Sequence, residues 1–238
     1  LAAGWRSVQT QGRDFIVAML LLETALFGLF SAQDLVLFYV FYEATLIPGS
    51  PTIAVWGGPR RAWASLQFFL FTFGGSLFML VGLITMWLYA GTTDIPTLMH
   101  TGFAQPLQGW LLLAFILAFG AKLPLFPLHA WLPDAYTEAP TPASAMLSGV
   151  LSKTGAYGLL RFGVLMFPDA ARLFAPYLLA LGVVAIIYAA FVAFAQADMK
   201  RLVAYSSFSH MGMIAVGLFT LTAEGIDGAI FQMLSHGV

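Results

Sequence analysis

Long, continuously apolar stretches alternate along the chain with short clusters of glycine, proline and charge. Their lengths suit helices crossing a hydrocarbon core of ~30 Å, which takes about 20 residues each. Placing boundaries at those clusters predicts spans over 15–32, 35–56, 62–90, 108–131, 142–167, 173–195 and 202–221, with a further one over 226–238. Strands of a membrane barrel would alternate apolar and polar positions over ~10 residues. These stretches are apolar throughout, so the predicted fold class is all-α: a single, polytopic integral-membrane helix bundle over 1–238.

Composition supports the same solvent. Hydrophobic residues make up 60% of the 238, charged residues 9%, and the mean hydropathy is +0.87. A soluble domain carries about 25% charged residues, so this chain cannot cover a water-facing surface, and its partner is the lipid bilayer. The net charge of -1 names no partner, and no nucleic-acid partner is expected. The absence of cysteine excludes disulfides, thiolate zinc sites and cysteine-ligated iron-sulfur clusters on this chain. No metal site is expected. The opening 1–14 stretch lacks signal-peptide organisation, the first residue is not methionine, and the last lies inside an apolar run; the chain reads as part of a longer protein.

Parity of crossings sorts the cations. Arg6, Arg13, Arg60, Arg61, Lys200 and Arg201 fall on one side, Arg172 and a snorkelling Arg161 on the other. The positive-inside rule places the first group in the cytoplasm.

The fourth span is irregular, because Lys122 is followed by Pro124 and Pro127. Each proline removes a backbone donor and clashes with the preceding turn, so the helix is expected to break there. Freed backbone groups inside a membrane need protein or water around them, and discontinuous helices tend to mark ion or substrate pathways. A packing kink is the competing reading of the prolines alone.

Ionisable groups within spans are costly, roughly 2.5–3.5 kcal/mol each at a helix centre on insertion scales. Glu23, Glu43, Lys122 and Lys153 are the four that stand out. Lys153 lies about 16 Å into its predicted span at 1.5 Å per residue, too deep to snorkel. Glu43 is likewise beyond easy reach of the interface. Carboxylate and lysine buried in one bundle suit a proton relay; a static ion pair that fixes helix packing is the alternative. Glu23 fits either a relay member or a contact with another helix.

Ser144, Ser148 and Ser152 recur every four residues ahead of Lys153, with Gly149 among them, giving a small, polar face suited to close packing or to a wetted path. His210 and His236 fall near mid-membrane, where a group titrating near physiological pH can shuttle protons. Structural hydrogen bonding and axial ligation of a haem compete for them, though the 205–210 serine run is polar for a haem wall. His100 and His129 fall in a loop and at an interface, with no chemistry expected.

The run Gly120-Ala121-Lys122-Leu123-Pro124-Leu125-Phe126-Pro127-Leu128-His129-Ala130-Trp131-Leu132-Pro133-Asp134-Ala135-Tyr136, continued by Glu138-Ala139-Pro140-Thr141-Pro142 and Leu151-Ser152-Lys153, resembles the antiporter-like subunits of respiratory complex I, the NADH-quinone oxidoreductase. Phe41-Tyr42-Glu43-Ala44-Thr45-Leu46-Ile47-Pro48, the 198–207 run and Ser209-His210-Met211-Gly212 point to the M type of those subunits, chain 4 in mitochondria. The resemblance implies an antiporter-like fold in a multi-pass membrane protein, most simply of a bacterial plasma membrane, and a proton-translocating role within an enzyme complex. It implies that Glu43 is the key glutamate, Lys122 the lysine of the discontinuous helix and Lys153 the central lysine, with His210 and His236 on the central hydrophilic axis. It also implies that NADH, FMN, iron-sulfur clusters and quinone belong to partner subunits, with no cofactor on this chain, and that the other antiporter-like subunits of the membrane arm are its neighbours.

Two departures from the family pattern stand out. Gly49-Ser50-Pro51 replaces bulky apolar residues and is expected to bend or unwind the helix beyond Glu43, and the family's second broken helix is beyond residue 238. Two other functions remain open at this level: a subunit of a multisubunit sodium/proton antiporter, which shares the lysines, and a non-transporting scaffold for redox subunits.

Overall fold

The computed structural model describes residue 8 and residues 10–237, which fold into helices joined by short turns. Arg6 lies outside the described residues. Four helices are long and apolar enough to cross a membrane: α1 (Gly12–Ser31), α4 (Arg61–Ala90), α10 (Pro168–Phe194) and α11 (Met199–Phe219). Each shows large apolar side chains on its outer face, among them Phe27, Leu88, Phe191 and Val203, as expected where lipid is the solvent.

Three of the other predicted spans, 35–56, 108–131 and 142–167, are interrupted, the first two beside proline. α2 (Leu35–Ala44) gives way at Thr45 to α3 (Leu46–Trp56). Pro48 has no amide to offer the carbonyl of Ala44, which loosens the ladder at that point. Gly49-Ser50-Pro51 does not unwind the chain as expected from the sequence. Those residues stay helical, because Gly49 packs against the Phe68 ring and the Ser50 hydroxyl bonds to that of Ser65 at 2.7 Å.

After the short α5 (Ile95–His100) comes α6 (Gln105–Lys122), which stops ahead of Pro124. The amide of Leu125 reaches back to Gly120 O at 2.7 Å, leaving Ala121 O free of its usual donor. Trp131, which opens α7 (Trp131–Glu138), closes that gap by donating from its indole nitrogen to Ala121 O at 2.8 Å. The next stretch alternates α8 (Thr141–Met146), a π-helical turn over Leu147–Leu151, α9 (Ser152–Gly158) and a second π-helical turn over Leu159–Val164. The last described helix is α12 (Ala223–Gly237).

An aromatic core joins these broken elements: Phe38 meets Phe162 at 4.7 Å between ring centroids, and Phe115, Phe119 and Phe162 stack in series. The ends of the bundle differ in charge. At one end Asp134 binds Arg60 at 3.1 Å and Arg201 at 3.0 Å, Glu138 lies 3.7 Å from Arg60, and Lys200 donates to Ala139 O. The indole of Trp56 bonds to Thr10 O, bringing the start of α1 to this end as well. At the other end Arg161 donates to Ala32 O and to the Gln33 side chain. There the segments before α2 and α5 also pair, through Leu35 N to Thr93 O at 2.8 Å and Ile95 N to Gln33 O at 2.9 Å. Asp94 caps α5, and its bonds from the Thr97 hydroxyl and amide hold its carboxyl below the usual carboxylate range.

Candidate functional site

The polar residues singled out in the sequence collect into two groups inside the bundle. The first surrounds Lys122, in the last turn of α6, where the free carbonyl end of a helix favours a cation. Its side chain is wholly buried. The ammonium donates to Thr45 Oγ1 at 2.7 Å and to Tyr42 O at 3.2 Å, and sits 3.7 Å from the centre of the Tyr42 ring. Tyr42 is itself fixed by a bond from its hydroxyl to Ala118 O at 3.1 Å.

Glu43 is the neighbour of Tyr42 on α2, and its Oε1 is buried without a hydrogen-bond partner. Ser76 of α4, Lys122 and the tyrosines of its own helix, Tyr39 and Tyr42, are polar neighbours of its carboxyl. The ion pairs among the described residues join Arg60, Arg172 and Arg201 to Asp134, Glu138 and Asp169. Glu43 and Lys122 thus share a pocket of the fold without closing to the 4.0 Å of an ion pair.

The second group surrounds Lys153 on α9. The amide of Ser152 bonds to Leu147 O, five residues back, in the π-helical manner, so Ser148 O is freed from its usual partner. Two side chains take it: Lys153 Nζ at 2.6 Å and Ser152 Oγ at 2.8 Å. Lys153 Nζ also contacts Nδ1 of His236 on α12. The His236 and His210 rings lie 5.5 Å apart, and His210 Nδ1 is 3.1 Å from the Gln232 amide nitrogen. Lys153, His236, His210 and Gln232 therefore form a polar series across α9, α12 and α11. Glycine lets α12 come this close, since a β-carbon at Gly149 would stand 3.2 Å from Gly237 O.

Three of the five sequence-predicted residues, Lys153, His210 and His236, meet in this series. Glu43 and Lys122 meet in the other group, and no hydrogen bond joins the two groups among the described residues. Glu23 takes part in neither: it is exposed on α1, beside a groove lined also by Met146 and Val150. His129 is packed between aromatic rings, stacked on Phe208 at 4.3 Å, with its Nδ1 buried and unpartnered. Thr45 and Gln232 were missed at the sequence level. Thr45 lies two residues after Glu43 and Gln232 one turn before His236, and that proximity was the available signal.

Comparison with known proteins places this arrangement in a family. A family profile described as NADH:quinone oxidoreductase/Mrp antiporter, TM, matches residues 32–238. The chain is 48% identical to NADH-quinone oxidoreductase subunit M of Rhodobacter capsulatus, over all of this chain and 49% of that protein. It thus spans about half the length of the curated relatives it matches. Among solved structures, respiratory complex I from Thermus thermophilus superposes with a TM-score of 0.82 at 37% identity, covering 94% of this chain and 50% of that one. The Mrp complex from Dietzia sp. DQ12-45-1b also gives 0.82, at 28% identity, over 92% of this chain and 24% of that one. With the profile covering most of its length, the chain belongs to the NADH:quinone oxidoreductase/Mrp antiporter transmembrane family.

Proposed function

We propose that this chain carries protons across the membrane as part of a subunit of NADH-quinone oxidoreductase, driven by quinone reduction in partner subunits. The observation that carries the reading is the series Lys153, His236, His210: three groups able to hold and release protons, in sequence across three helices of an apolar bundle. Protonation of one neighbour and release by the next requires only small side-chain rotations at such separations. Lys122 and Glu43 act as a second pair whose charge separation sets the occupancy of the series. NADH, FMN, iron-sulfur clusters and quinone belong to partner subunits in this reading, and the neighbours in the membrane arm include the other antiporter-like subunits. The likeness to the Mrp complex supports a second reading, a subunit of a sodium/proton antiporter.

The test places Lys153→Met in the full-length chain within its complex and follows NADH oxidation together with proton uptake in sealed vesicles. Loss of both in an assembled complex is expected. Unchanged oxidation and uptake would make Lys153 structural and favour a scaffold. Sodium-driven proton exchange by the wild-type chain without NADH would favour the antiporter.

A further inference from the structure

Lys122 is wholly buried and Glu43 is half-buried with its Oε1 shut off from solvent, in surroundings where opposite charges attract more strongly than in water, yet the ammonium is held elsewhere. Its partners are Thr45 Oγ1 at 2.7 Å, Tyr42 O at 3.2 Å and the face of the Tyr42 ring, while Glu43 Oε1 has no partner. The Thr45 hydroxyl is already committed, donating its hydrogen to Tyr42 O at 2.7 Å. A hydroxyl has one hydrogen and two lone pairs, so with the hydrogen spent it faces Lys122 as a fixed acceptor. Helix positions two apart point about 200° from each other, so an ammonium on Thr45 is turned away from Glu43.

We infer that Thr45 is a positioning residue that holds Lys122 off Glu43, giving the ammonium two stations: the Thr45 hydroxyl and the Glu43 carboxylate. The inference rests on the proton-translocating reading. Thr45 is fully buried at the joint between α2 and α3, where Pro48 has already weakened the ladder, so a small local movement is enough to pass the ammonium from one station to the other.

The experiment uses the full-length chain in its assembled complex, with proton uptake per NADH oxidised measured in sealed vesicles across a pH range. Thr45→Val removes the hydroxyl and keeps the volume. The ammonium then settles on Glu43, proton uptake per NADH falls at least about twofold, and its half-maximal pH rises by about one unit, the tenfold preference that a bond to a charged group supplies. Thr45→Ser keeps the hydroxyl and is expected to match wild type. Thr45→Ala removes the same hydroxyl with less bulk and reads the same way where valine blocks assembly. Wild-type stoichiometry and pH profile in Thr45→Val, or a serine variant as impaired as valine, overturns the inference. So does a need for the hydroxyl in assembly itself, which makes Thr45 structural. Lys122→Met run in parallel separates the two levels: if it abolishes uptake while Thr45→Val is normal, only the positioning role fails, whereas if Lys122→Met pumps normally, the relay reading falls and the Thr45 role with it.

Discussion

At the scale of single residues, the contact between Lys153 and His236 makes the sharpest demand. The ammonium has two acceptors, Ser148 O and the His236 ring, and in the proposed relay the ring is the one that hands a proton on to His210. Replacing His236 with leucine removes one acceptor and the carrier together. Proton uptake coupled to NADH oxidation is expected to drop by at least about tenfold, below the 10²–10⁴ range typical of a lost acid–base group because Ser148 O still orients the lysine. Ser207→Ala is the matched control. Its hydroxyl meets Ser148 at 3.4 Å, a long bond, so loss is expected to change uptake by less than about twofold, in line with the ±0.5 kcal/mol of substitutions away from strong contacts. Uptake assays on both variants in one vesicle preparation give the comparison. The lysines and histidines of these groups were legible in the sequence because charge is rare inside spans. Thr45 and Gln232 were not, since hydroxyl and amide residues are common and what gives them meaning is the partner they meet from another helix.

At the scale of elements, the breaks matter more than the helices. The end of α6 could be read from Pro124 and Pro127, because proline acts through local geometry. Its repair could not: Trp131 reaches Ala121 O only once α7 has folded back beside α6. The two π-helical turns around α9 were equally hidden, since no residue type encodes a five-residue hydrogen bond. The face that Ser144, Ser148 and Ser152 form in the sequence is where the first of them falls. Close packing of α9 on α6 keeps this geometry in place. A β-carbon at Gly155 would come 2.6 Å from both Leu123 N and Phe119 O, which are backbone atoms and cannot rotate away. Gly155→Ala is therefore expected to push α9 from α6 at a cost of about 1–3 kcal/mol. A lowered midpoint in thermal unfolding of the assembled complex, with proton uptake reduced at temperatures well below it, is the expected result. An unchanged midpoint would mean that the two helices separate at no cost.

At the scale of the whole molecule, the two ends of the bundle carry different chemistry. Arg60, Arg61, Lys200 and Arg201 gather at the end where Asp134 binds two of them, and Arg161 and Arg172 lie at the opposite one. The sequence could sort these charges only by counting crossings; the structure brings Arg60 and Arg201 onto one carboxylate although they start different helices far apart in the chain. The positive-inside rule then predicts that the Asp134 end faces the cytoplasm. These 238 residues carry no cysteine, so single cysteines placed in them can report orientation once any cysteine elsewhere in the full-length chain is replaced. Ala197→Cys, exposed just before α11, reports on the Asp134 end, and Gly102→Cys, exposed with open space around its α-carbon, reports on the other. A membrane-impermeant maleimide applied to intact cells is expected to label position 102 and to reach position 197 only in inverted vesicles. The reverse pattern would place the basic end outside. The proposed relay would then sit in the membrane with its Asp134 end facing away from the cytoplasm, and any direction given to proton movement through Lys153, His236 and His210 would have to be read in that orientation.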